Sequence, residues 1–154
     1  MDRDGDPNVL FTNNNTLDDL VLKPWHGVAW LENKGGFPFE HRHITDLHGV
    51  YRAKAGDLDG DGDLDIAACT FIPFLRKDSP GVELAESIIW LEQTAPGQFA
   101  RHSIASRQCT HPTLDVADYD ADGDVDIAVG NMTMAKGETD TLEEWVILFR
   151  NLKR

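Results

Sequence analysis

The chain has 154 residues, with 27 Asp and Glu against 14 Lys and Arg, and a formal charge of -13. A protein this acidic does not hold nucleic acid by neutralising phosphate, nor does it settle on an anionic membrane surface. With 41% hydrophobic residues, four Trp and seven Phe, it is too apolar for disorder and long enough to bury roughly 70% of its unfolded surface.

The charge is concentrated. Asp2, Asp4 and Asp6 open the chain, Asp57, Asp59, Asp61, Asp63 and Asp65 form a second group, and Asp118, Asp120, Asp122, Asp124 and Asp126 a third. These thirteen acids account for the whole net charge, because the other fourteen balance the fourteen Lys and Arg. Five carboxylates within nine residues repel one another, so each complete loop calls for a cation.

In chain order, a partial acidic loop at Asp2, Asp4, Asp6 and Asn8 leads through the long segment Thr12 to Trp25 into an apolar run, Gly27 to Glu32. Phe39 to Ile44 alternates as a half-exposed strand does, and Val50 to Gly56 is the next strand. The second loop is followed by Leu64 to Thr70, the long segment Phe71 to Glu86, then strands at Ser87 to Glu92 and Gln98 to Ile104. The third loop is followed by Asp126 to Gly130, a third long segment, Asn131 to Glu144, and Trp145 to Arg150. No run has helical periodicity. Leu142 to Leu148 comes nearest and is too short.

These elements repeat. Asp4-Gly5, Asp61-Gly62 and Asp122-Gly123 lie 57 and 61 residues apart, and Trp30-Leu31-Glu32 returns as Trp90-Leu91-Glu92. Phe39 returns as Phe99, Ile44 as Ile104, and Leu148 to Asn151 aligns with Trp30 to Asn33. Four short strands in about 60 residues, repeated, is the signature of a β-propeller blade. The predicted architecture is an all-β propeller fragment of about two and a half four-stranded blades. Residues 1–47 form a blade without its opening strand, 48–108 a complete blade, and 109–154 a blade without its closing strand. The layout totals ten strands, and the rest of a propeller or other copies must close the ring.

Each complete loop reads Asp-x-Asp-x-Asp-Gly-Asp-x-Asp. Alternate carboxylates converge on one point when the chain curls, and the glycine permits the sharp turn. Hard oxygen donors suit Ca²⁺, which takes six to eight of them. The expected ligands are Asp57, Asp59, Asp61 and Asp65 in one site and Asp118, Asp120, Asp122 and Asp126 in the other. Asp63 and Asp124 would serve through their carbonyls. Asp2, Asp4, Asp6 and Asn8 offer a third, partial site. An EF-hand is excluded, because its twelfth position requires Glu and here holds Ala68 or Val129.

Asp57 to Ala67 and Asp118 to Ala128 resemble the calcium loops of FG-GAP/VCBS-type repeats, the family that builds the propellers of integrin alpha chains and of many bacterial exported proteins. The resemblance departs at the first loop, which is incomplete. It implies that calcium joins strands one and two of a blade in a structural role, and that the parent protein is secreted, periplasmic or at the cell surface. No signal peptide or membrane span is expected in these residues: the N-terminus is acidic, and Ile66 to Leu75 falls short of ~18 apolar residues.

Strand alternation sends the acidic loops to one face of the propeller and the three long segments to the other, with His48 and His111 nearby. Long loops in a compact domain tend to be functional, so a protein or carbohydrate ligand is expected on that second face. His41 and His43 are expected at the surface, and His26 and His102 have no expected role. Trp30 and Trp90 should pack between blades, and Glu32 and Glu92 should be solvated. Cys69 and Cys109 are expected as buried thiols rather than a disulfide. The chain is expected not to be an enzyme. The alternative is part of a propeller-type lyase or dehydratase acting on carbohydrate, with His48 or His111 as base.

Overall fold

The computed structural model describes the chain except for residues 3, 76–81, 133, 135–143 and 153–154. Its strands are β1 (Val9–Asn13), β2 (Gly27–Glu32), β3 (Glu40–Asp46), β4 (Val50–Gly56), β5 (Asp65–Thr70), β6 (Glu86–Ala95), β7 (Gln98–Ser106), β8 (Thr113–Ala117), β9 (Asp126–Gly130) and β10 (Val146–Phe149). They form three antiparallel sheets, β1-β2-β3, β4-β5-β6-β7 and β10-β9-β8, in which every strand pairs with its neighbour in sequence. The sheets do not close into a ring. This is an all-β propeller fragment.

Central β5 explains how the sheets stack. All six of its residues are buried, and successive side chains on a strand point to opposite faces. Ile66 and Ala68 join Val28, Leu47, Val50, Ile89 and Leu91 in one core cluster. Ala67 and Cys69 join Leu58, Ile88, Leu114, Ile127 and Val129 in a second. A sheet covered on both faces needs a continuous apolar run rather than alternation, and Ile66-Ala67-Ala68-Cys69 supplies it. Each large side chain fully buried in this way contributes about 1.5–3 kcal/mol. β4 touches both β1 and β8, so these strands lie on one side of the stack, while β3, β7 and β10 are the opposite edges.

Trp30 packs between the first two sheets. It is 4% exposed, with the edge of Phe99 at 6.4 Å. Gly97, in the β6–β7 turn, completes its cover. A Cβ there would stand 3.2 Å from the indole, and φ is +69°, so glycine meets both demands.

Two details differ from expectation. Thr16–Asp19 forms one α-helical turn inside the first long segment, and Val82–Leu84 forms a 3-10 turn. The first is set by a side chain, since Asn14 Oδ1 accepts from both the backbone N–H and the hydroxyl of Thr16, at 2.9 and 2.5 Å. Four residues are too few to show a helical period. Strand β6 also runs to Ala95, because the tight turn into β7 lets pairing continue to Ala95–Gln98. Leu142 and Glu143, the first two of the seven residues in the best helical candidate, lie outside the described residues, while Val146–Phe149 is strand. Cys69 and Cys109 are buried and unbridged. Burial pushes the Cys69 thiol up to about 12, which makes it unreactive.

Candidate metal centre

The three acidic loops share one backbone course. Asp6 N–H donates to Asp4 Oδ1, Asp63 N–H to Asp61 Oδ1 and Asp124 N–H to Asp122 Oδ1, at 2.9, 2.9 and 3.0 Å. In the two complete loops the glycine N–H reaches back five residues, Gly62 to Asp57 Oδ2 and Gly123 to Asp118 Oδ2, at 3.2 and 3.1 Å. Gly5, Gly62 and Gly123 have φ of +93°, +92° and +97°, and a Cβ at any of them would meet nothing within 4 Å. Glycine is needed there for its conformation, not for space.

This curl gathers carboxylates. Asp57, Asp59 and Asp61 bring one oxygen each within 4.8 Å of one another, and so do Asp118, Asp120 and Asp126. Asp65 lies outside the first triad and Asp122 outside the second. Among the described residues the first loop forms no such triad. There the Asp2 carboxyl is raised by burial, but the side-chain amide of Asn8 and neighbouring backbone N–H groups outweigh this and leave it lowered. The donor set is all hard oxygen, which fits Ca²⁺. In the second loop, Asp57 Oδ1 is buried without a hydrogen-bond partner, an arrangement that costs free energy unless a cation meets it.

The last loop position is a strut. Asp65 Oδ2 accepts Leu58 N–H at 3.2 Å and its Oδ1 accepts Gln93 N–H at 2.7 Å. Asp126 repeats this with Tyr119 and Asn151, at 3.1 and 2.7 Å. Asn8 Oδ1 takes Asn33 N–H at 2.8 Å. Each strut ties the acidic loop to the end of strand three, so both connections lie at one end of the blade. Burial pushes the Asp65 carboxyl above its usual range, against the opposing pull of the Gln93 N–H. Asn33, Gln93 and Asn151 went unrecognised as partners in the sequence, although their common place directly after the aligned Glu32, Glu92 and Arg150 was a usable signal.

At the opposite end the long segments meet the chain before β4 and β8. Phe71 N–H donates to Gly49 O, Ile72 N–H to Cys109 O and Met132 N–H to Thr110 O. His26 is wholly buried there, with Nε2 2.9 Å from Asn15 Oδ1. His111 is also buried, with Nδ1 on Asn131 Oδ1. His48 is exposed, with Nδ1 3.2 Å from Lys23 O. His41 and His43 are at the surface. Glu32 pairs with Arg42 and Lys34, and Glu92 lies within hydrogen-bond distance of His102, so these acids have side-chain partners rather than being simply solvated. Trp90 stacks on His102 at 4.6 Å and lines a groove of about 720 Å³ with Ile104, Leu148 and Phe149.

Residues 1–68 match the family model of the FG-GAP-like repeat. That part of the chain is similar to an FG-GAP-like repeat. The matched span runs from the first acidic loop through the second and into β5, and the third loop continues the same internal period beyond it. No curated protein and no solved structure matches the chain. No helix among the described residues is long and apolar enough to cross a membrane.

Proposed function

We propose that this chain is a calcium-stabilised FG-GAP segment of a β-propeller, belonging to an exported or surface-exposed parent, that presents its long-loop face to a protein or carbohydrate ligand. The observation that carries the metal reading is Asp57 Oδ1, buried and without a partner beside the converging carboxylates of Asp59 and Asp61. Asp57, Asp59, Asp61 and Asp65 would hold one ion with the carbonyl of Asp63. Asp118, Asp120, Asp122 and Asp126 would hold the other with the carbonyl of Asp124. The ion supplies positive charge that offsets carboxylate repulsion and braces the connection between strands one and two. Its role is structural rather than catalytic.

Two further observations support the assembly part of this reading. Trp25, Leu84 and Met134 belong to the long segments and Trp145 follows the third of them, and they are 59%, 81%, 56% and 71% exposed, an apolar display suited to a partner. Trp30 is covered by Phe99 and Gly97, whereas Trp90 lines an open groove beside the edge strand β10. The remainder of a propeller would dock there. Calorimetric titration with Ca²⁺ tests the metal reading. Two sites are expected, with Asp61→Ala and Asp122→Ala each removing one, and no heat of binding from the unmutated chain would refute it.

A further inference from the structure

Arg150 follows β10 at the position where the other repeats carry Glu32 and Glu92. Those glutamates turn to partners along their own sheets, Glu32 to Arg42 at 2.8 Å and Glu92 to His102 at 2.7 Å. Arg150 instead reaches the third acidic loop. Its Nε donates to Asp120 Oδ2 at 2.6 Å and its Nη2 lies 2.5 Å from the same oxygen. Asp120 belongs to the triad with Asp118 and Asp126. None of the ion pairs among the described residues reaches Asp57, Asp59 or Asp61. The two loops therefore have nearly the same carboxylate pattern and opposite provision for charge, since one is met by a basic side chain and the other is not.

We propose that Arg150 is a tethered counter-charge that weakens cation binding at the third loop and makes the two complete loops unequal. The inference rests on the calcium reading above. An ion that takes Asp120 either displaces the guanidinium from Oδ2 or shares the carboxylate with it, and in both cases the positive charge stays close because β10 anchors it. Arginine does not deprotonate in proteins, so raising the pH does not lift the competition. The Arg150 side chain is 56% exposed, and solvent screening holds the effect to about two- to fivefold in Kd.

The test is calcium calorimetry on the full chain with one loop disabled at a time. Asp61→Ala leaves the third loop and Asp122→Ala leaves the second. The third loop is expected to bind about two- to fivefold more weakly. Adding Arg150→Gln to the Asp61→Ala protein should close that gap, while adding it to the Asp122→Ala protein should leave the constant unchanged. A third-loop constant indifferent to Arg150→Gln overturns the proposal, and so does equal tightening at both loops. If Arg150→Gln loses its β-sheet spectrum, Arg150→Lys decides the matter in the same two backgrounds: it keeps the charge without the fork and should preserve part of the gap, and no gap at all overturns the proposal. Calcium binding at neither loop removes the calcium reading as well, whereas binding unaffected by residue 150 removes this proposal alone.

Discussion

Asp65 accepts two backbone N–H groups from opposite directions, one from its own loop and one from the end of β6. Asp65→Ala leaves both donors unmet in a buried site and should cost about 2–4 kcal/mol in urea denaturation. The loss should persist in EGTA, which separates the strut from any ligand role. Asp65→Asn should cost less, since Asn8 already holds Asn33 with an amide oxygen. His111 gives the pH dependence. Burial lowers its pKa despite the opposing Asn131 contact, so the unfolded chain takes up a proton first as the pH falls. Stability is complete above the unfolded value near 6.5 and is lost as the pH falls from there through the lowered folded value. The slope cannot exceed about 1.4 kcal/mol per pH unit for one histidine, and His111→Gln should flatten that part of a pH series of melting curves. At this scale the alternating acids were legible because ligand spacing is local. The strut partner of Asp65 lies 28 residues away, beyond any local pattern. Arg150 was visible as a change of sign at an aligned position, but its pairing needed the fold.

β5 and the Trp30–Phe99 contact show what an element contributes. β5 reads as an uninterrupted apolar run because both of its faces are covered, and period-two logic alone would have misjudged it. Strand number and order were recoverable because the landmarks recur, with tryptophan in strand three and phenylalanine at the start of strand four. Phe99→Ala should uncover the indole of Trp30. Phe99 is only half-buried, so a loss of about 2 kcal/mol is expected, below the range for fully buried phenylalanine, with a red shift in tryptophan emission. Unchanged stability and emission would show that the two sheets are held together by other contacts. The single turn at Thr16–Asp19 stayed hidden because an Asn14 side chain sets it rather than a periodic apolar face.

Across the molecule, the charge of -13 belongs to the loops, and two bound Ca²⁺ would bring it to -9. With calcium at about 100 times Kd, each site adds about 2.7 kcal/mol. For a chain of this size EGTA should lower the melting temperature by about 10–20 °C. The double variant Asp61→Ala, Asp122→Ala should start low and ignore the chelator. A melting curve that EGTA leaves in place would sink the structural-calcium reading. The propeller class and the acidic loops were legible at this scale because repetition multiplies a weak signal. What occupies the long-loop face was not, since the repeats share no motif there. The struts from Asn8 to Asn33, Asp65 to Gln93 and Asp126 to Asn151 close spans of 25, 28 and 25 residues at the acidic end. Each span is a stapled cassette that can lengthen at its far end, since doubling a flexible loop costs only about 0.6 kcal/mol. A foreign segment inserted among the exposed residues 20–22, with Asn15 and Thr16 kept on the buried His26, would therefore leave the acidic end undisturbed, so recognition and stability can diversify independently in one chain.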